Sequence, residues 1–305
     1  MSTRFLGVAA LLVLVPIVAS AGSDWAPIAL GFISPGKLIV LSEDGQLWSV
    51  STQSGKVPKM RIGQISTELT ATDLGVASDG DWSRIIITSS LTTSSPGRTF
   101  LDEYSAPGRK VRTTSGPPNG YFSGVAIDSA KKLAYVVNAS ESSIESVRLT
   151  SNAQPLPNAQ LTRVSKIREN VGKETITLGP LALDSRGQRL FVADSFNGKV
   201  YQVSLTTNNV DVFADGLGEP RALIVDAQTR RLLVADAARK AVWSFPLDGR
   251  TPHPRPTRPF CPAMRLMEPS ALAIDQNGDV WTGDPRLNAL FRCNSNGTFL
   301  ERRDN

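Results

Sequence analysis

Residues 179–205 read GPLALDSRGQRLFVADSFNGKVYQVSL. Three short apolar runs, PLAL, LFVA and VYQVSL, alternate with the turn-forming stretches DSRGQ and DSFNG. Runs this short, rich in Val, Leu, Phe and Tyr and bounded by Asp, Ser, Gly and Asn, predict strands and not helices. In the last run Val200, Gln202 and Ser204 alternate with Tyr201, Val203 and Leu205, the period of a strand buried on one face.

Outward from this stretch the same unit recurs. LGVASD (74–79), GVAID (124–128), PLALD (180–184), PRALIVD (220–226) and PSALAID (269–275) each close on an aspartate. The closing aspartates stand 49, 56, 42 and 49 residues apart. A second apolar run follows each at 85–88, 133–137, 190–193, 232–235 and 280–283, and the last three end on Asp194, Asp236 and Asp284. Third runs lie at 199–205, 241–247 and 289–293. A sixth copy, PIALGFISPGKLIVLS (27–42), aligns without a gap on PSALAIDQNGDVWTGD (269–284), with Ile33 at the marker position and QLWSV (46–50) as its third run. Six copies of about 47 residues match the size of a four-stranded propeller blade. The reading is all-β, a six-bladed β-propeller of four-stranded antiparallel blades. Radial repetition lets each blade bury both faces against its neighbours.

Two stretches depart from the period. Residues 150–177 are polar and read as a long outer strand plus loop. Residues 249–262 carry prolines at 252, 254, 256, 259 and 262 and read as an extended surface loop between the fifth and sixth blades.

Residues 1–21 read as a secretory signal peptide: Arg4, an apolar run over 5–18, and Ala19, Ser20 and Ala21 as a small-x-small cleavage site. The run falls short of the roughly 20 residues a membrane span needs; an uncleaved anchor is the alternative. The propeller domain is then 22–305, secreted or periplasmic, with no membrane span in the mature chain. Of the 33 basic and 28 acidic residues only Arg4 is lost with the leader. The remaining charges are scattered, so no nucleic-acid partner is expected.

Composition narrows the chemistry. One His and two Cys in 305 residues exclude a multi-histidine or Cys-rich zinc site. His253 sits in a Pro-rich stretch and reads as a solvated loop residue. There is no GxSxG elbow and no CxxC. The stretch GLGEPR (216–221) superficially looks like a phosphate loop but lacks the third glycine and the following helix. In an oxidising compartment Cys261 and Cys293, both assigned to the last blade, are expected to pair; two buried free thiols are the alternative. Asn138 and Asn296 head acceptor sequons for a glycosylating cell. The recurrent aspartates 128, 184, 194, 226, 236, 275 and 284 read as structural, because a position repeated in every blade serves the blade, and Asp accepts backbone N–H groups in turns.

The GVAID/PLALD…LFVAD…KVYQVSL pattern resembles six-bladed propellers of the gluconolactonase/regucalcin-like and NHL-repeat superfamily, most strongly over 179–249. The resemblance implies a central channel walled by the xALD runs, with functional sites at one mouth. It also implies, for the lactonase members, a divalent cation held by Glu, Asn and Asp just ahead of the innermost strands. Five residues before each marker stand Ile28, Leu74, Ser123, Gly179, Arg221 and Ser270. None is a carboxylate or an Asn, and a hard cation needs anionic oxygens. No cofactor and no metal ligand is therefore expected. A displaced calcium-type site using Asp73, Glu219, Glu268 or Asn119 is the alternative.

The candidate ligand-binding residues at the channel mouth are Asn119, Ser123, Asp194, Glu219, Arg221, Asp236, Ser270, Asp284 and Arg286, with Arg239 beside them. Arg221 belongs either to a salt-bridge network or to an anion-binding pocket. No catalytic residue is assigned. Two functions remain open: a non-catalytic propeller that binds a small molecule or a protein at the mouth, or a lactonase/esterase-like hydrolase using a metal-activated water. A monomer is expected.

Overall fold

The computed structural model describes residues 26–52, 59–65, 69–79, 82–91, 98–105, 109–149, 160–168, 175–248 and 254–304. The leader read at 1–21, and His253, lie outside the described residues. The first blade comprises β1 (Pro27–Ser34), β2 (Lys37–Ser42), β3 (Gln46–Ser51) and β4 (Lys59–Gln64). The second comprises β5 (Thr70–Asp79), β6 (Trp82–Leu91), β7 (Arg98–Ser105) and β8 (Arg109–Ser115). The third has β9 (Phe122–Asp128), β10 (Leu133–Asn138), β11 (Ser143–Arg148) and β12 (Thr162–Lys166). The fourth has β13 (Leu178–Asp184), β14 (Arg189–Asp194), β15 (Lys199–Ser204) and β16 (Val210–Ala214). The fifth holds β17 (Pro220–Asp226), β18 (Arg231–Asp236) and β19 (Ala241–Pro246). The sixth holds β20 (Ala271–Ile274), β21 (Val280–Asp284), β22 (Ala289–Cys293) and β23 (Phe299–Asp304). Each blade is an antiparallel meander running from the centre outward, and the six innermost strands contact one another in a ring that closes β20 onto β1. No helix of the described residues is long and apolar enough to cross a membrane.

The architecture is the expected propeller. Among the described residues the fifth blade pairs three strands in its ladder. Its outer position is taken by the Pro-rich stretch, which touches β19 through a single bridge between Trp243 and Pro259 and one Phe260 N–H bond to the Val242 carbonyl at 2.7 Å. Pro254, Pro256 and Pro259 have no N–H to donate, so this stretch cannot build a ladder.

Strand periodicity here chooses a neighbour. In β14, Leu190 and Val192 pack toward the third blade, while Phe191 and Ala193 pack toward the fifth. In β15, Val200 faces the fifth blade, and Tyr201 and Val203 face the third. The alternation read as a half-buried strand is therefore a strand covered on both faces, with Gln202 and Ser204 left partly open. One apolar cluster fills each of the six seams between blades. The innermost strands approach so closely that a Cβ on Gly31 would lie 2.5 Å from a Val76 methyl.

Among the described residues ring closure uses no shared strand. At the seam of the sixth and first blades, Trp281, Leu290 and Ala273 pack against Leu30, Leu38 and Val40. Arg303 lies 5.0 Å over the Trp281 ring and donates to the Ser51 and Thr52 carbonyls. Cys261 and Cys293 form a disulfide. It clips the segment at the outer position of the fifth blade to β22, within the apolar seam of blades five and six. The bridge spans 32 residues of sequence, for which chain-entropy reasoning gives roughly 3–4 kcal/mol. Replacing both cysteines by serine should lower the denaturation midpoint accordingly; an unchanged midpoint would show that the seam holds the segment without it.

Asn138 is fully buried and donates to Glu145, so it is closed to glycosylation in the folded chain. Asn296 is exposed in the β22–β23 turn.

Candidate functional site

The end at which the innermost strands begin is the upper mouth. Nearly every innermost strand carries a β-bulge there, at Ile28, Thr72, Ser123, the Gly179 and Pro180 pair, and Arg221. A bulge inserts one unpaired residue and re-aims its side chain. Two of these positions, and Ser270 just ahead of β20, bear a hydroxyl that bonds across to the first residue of the next innermost strand. Thr72 donates to the Phe122 carbonyl at 2.7 Å, Ser123 to Leu178 at 2.8 Å and Ser270 to Pro27 at 3.1 Å. Where the fourth blade has glycine, Ser195 makes the same bond to Pro220 at 3.2 Å. Ser123 and Ser270 thus latch adjacent blades together.

The count of five residues back from the marker lands on the bulge in four blades, on Ser270 just ahead of β20 in the sixth, and misses the bulge in the second. There the bulge residue is Thr72, not Leu74, because the β5–β6 hairpin is extended: Asp79 lies opposite Trp82, whereas Asp128 lies opposite Leu133. Leu74 instead packs in the seam of the first two blades.

Below the mouth the six innermost strands wall a bore of about 290 Å³. The side chains along it are mostly aliphatic or aromatic, including Ile28, Phe32, Val76, Ile127, Leu183 and Val225, but the surface it exposes is more polar than apolar. Among the described residues Asp73 is the only ionisable one lining it, and Ser270 the only other polar side chain. Asp73 follows the bulge at Thr72. Its two oxygens accept the Leu74 N–H at 2.8 Å and the Val125 N–H at 2.9 Å. Burial pushes its carboxyl up to about 7, against the pull of those two bonds. The folded value thus exceeds the unfolded one of about 3.9. The folded state then binds this proton more tightly, so the stability it contributes is whole below about pH 4 and is lost as pH rises toward 7. Asp73→Asn should flatten the decline between those limits. Urea titrations at intervals across the window check it; an unchanged slope would exclude Asp73 as the titrating group.

At the rim, Arg221 is held between two carboxylates. It reaches Glu219 at 2.8 Å and Glu268 at 2.7 Å. Arg286 stands 3.9 Å from the other Glu268 oxygen. Glu43, in the β2–β3 turn, completes the group: burial, then the charges of Glu268 and Asp44, push its carboxyl up, and Arg221 draws it down. Three carboxylates share two guanidinium groups, so Arg221 sits in a salt-bridge network. Among the described residues no three His, Cys, Asp or Glu side chains converge to hold a metal ion.

The remaining candidates lie elsewhere. Asp194, Asp236 and Asp284 are fully buried, and each takes backbone N–H groups from the loop entering its own blade and from the turn after itself. Asp194 accepts from Thr177, Phe196 and Asn197. Asp236 accepts from Gly218, Glu219 and Arg239, and Arg239 also stands 3.9 Å from its carboxylate. Asp284 accepts from Met267, Glu268 and Leu287. They position the rim and do not line it. Gly218 lets the chain pass over Asp236, since a Cβ there would lie 2.9 Å from its oxygen; the GLGEPR glycines serve this approach and not a phosphate. Asn119 is on an exposed turn ahead of β9 with a φ of 59°. At the opposite end Asp128, Asp226 and Asp275 cap turns. Asp184 does likewise, and Arg230 reaches it from the next blade at 2.8 Å. Burial would raise the Asp184 carboxyl, but Arg230, the Gly187 N–H and Arg189 outweigh it and hold it low. Glu268, read from sequence only for a displaced cation site, and Glu43, not read there at all, complete the rim. The gap-free alignment of the first and last copies carried the signal for Glu43, since it places that residue in an upper turn.

The fold and its open bore define a six-bladed β-propeller with a central channel. Residues 184–304 match the family model of the SMP-30/gluconolactonase/LRE-like region. The chain therefore carries a gluconolactonase-like region from the end of β13 through the sixth blade. No curated protein matches the sequence. Among solved structures it is similar to a chain of a nidogen/laminin complex, at 13% identity over 88% of this chain and 93% of that one, with a TM-score of 0.64. It is also similar to a structural genomics protein of unknown function from Bacteroides thetaiotaomicron VPI-5482, at 12% identity over 87% of this chain and 68% of that one, with a TM-score of 0.61. At these identities the likeness concerns the fold.

Proposed function

We propose that the protein is an exported propeller that binds a small molecule at the upper mouth of its channel, acting as a monomer and without turning the ligand over. One observation carries this reading: a bore of about 290 Å³ opens beneath a rim of charged side chains. Ligand sites are commonly concave, mostly apolar and furnished with a few placed polar groups. The disulfide supports an oxidising compartment, in keeping with the leader read at 1–21.

A hydrolase is the second reading, favoured by the gluconolactonase-like region. A protein partner on the same face is favoured by Phe196, which stands 70% exposed on the β14–β15 turn. The test strips the protein with chelator, restores calcium or zinc, and follows melting temperature and hydrolysis of lactones and aryl esters. Binding alone predicts no metal-dependent turnover. Turnover that chelator abolishes and metal restores would sink it in favour of the hydrolase. Val225→Trp, which fills the bore, should remove small-molecule binding and leave any binding through Phe196 untouched.

A further inference from the structure

We propose that the bore takes a small organic cation, with its ammonium group on Asp73. The inference rests on the channel-binding reading and names the ligand class. A cavity of about 290 Å³ is at the small end of ligand pockets. Its walls come from the six innermost strands and, among the described residues, carry one ionisable side chain, Asp73, beside the hydroxyl of Ser270 and the polar groups of the strand backbones. Asp73 uses one lone pair of each oxygen on the Leu74 and Val125 N–H groups, which leaves acceptor capacity on both atoms for a donor in the bore.

Among the described residues no cation answers this acid. The strands beside β5 contribute no ionisable side chain to the bore, and no neighbouring charge perturbs Asp73. A desolvated ionised carboxylate is unfavourable unless it is paired. A ligand ammonium pairs it, a neutral ligand leaves it unpaired, and an anion is repelled. The rim agrees: Glu43, Glu219 and Glu268 outnumber Arg221 and Arg286, and Arg221 is already clamped by two of those acids.

The test is calorimetric titration of the full chain with 2-phenylethylammonium, 2-phenylethanol and phenylacetate. The expected order of affinity is cation, then alcohol, then anion. The cation should tighten about tenfold per pH unit up to about 7 and then level, because its own charge is constant there. Asp73→Asn should weaken the cation about 10- to 150-fold, as expected for a lost charged hydrogen bond, and leave the alcohol unchanged. A cation that binds no tighter than the alcohol, or binds the variant as well as the wild type, overturns the ligand class and leaves the channel reading standing if the alcohol binds. Failure of all three probes overturns both. If Asp73→Asn does not fold, a pH-independent cation affinity in the wild type overturns the inference by itself.

Discussion

Asp236→Ala should destabilise the protein by about 4 kcal/mol or more, among the largest effects of any single substitution in the ring. The carboxylate is fully buried and accepts four donors: the Gly218 and Glu219 N–H groups at 2.8 Å, the Arg239 N–H at 3.1 Å and the Trp243 indole N–H at 3.2 Å. Truncation leaves all four without an acceptor, and each unsatisfied buried donor costs about 1–3 kcal/mol before relaxation. Asp236→Asn keeps one acceptor oxygen and should cost less than half as much. Urea or thermal unfolding measures both. In a chain this size, 4 kcal/mol corresponds to roughly a 10 °C fall in Tm. A change within about 1 kcal/mol of wild type would mean that water or a shifted loop replaces the carboxylate. The effect reaches the rim as well, because the same loop carries Glu219 and leads into Arg221.

Glu103→Ala should cost about 3–5 kcal/mol for a different reason. In the second blade Glu103 bridges Arg84 at 2.8 Å and Arg112 at 3.0 Å, and all three side chains are nearly or fully buried. Arg112 also donates to the Arg148 carbonyl of β11, so the triad ties the second blade to the third. Removing the shared carboxylate leaves two guanidinium groups in one another's field within an apolar seam. Replacing the whole triad by Met and Leu should recover most of the loss, since a well-packed apolar substitute can match a buried ion pair. If Glu103→Ala alone proved neutral, the arginines would have to be reaching solvent.

The ring was legible in the sequence because each strand face meets a different neighbour. Leu190 and Val192 must suit one seam while Phe191 and Ala193 suit another, and that double demand writes an apolar run of fixed length into every blade. The outer edge of the fifth blade was less legible. The prolines at 254, 256 and 259 were visible, but that they occupy the outer-strand position follows only from Trp243 meeting Pro259. At the mouth, Ser123, Arg221 and Ser270 were found because their distance from the marker is constant. Thr72 was missed because β5 runs two residues further from its bulge to the β6 turn, so the fixed count landed on Leu74. Asp194, Asp236 and Asp284 could not be separated from solvent-facing acids, since an aspartate that ends an apolar run looks the same whether it accepts backbone N–H groups or faces a channel.

Closure without a shared strand gives the ring a modular logic. Each blade is completed by contiguous chain, so the molecule is a linear array bent into a circle and fastened at one point by Trp281, Arg303 and the Ser270 latch. The connection from β16 to β17 carries the chain from rim to centre within residues 215–219. A similar linker from β23 back to β1 would join the ends, and new ends could be opened in that connection without cutting any sheet. A circular permutant of this kind would keep all six seams, and mechanical pulling on the natural ends would release whole blades in order and not single strands.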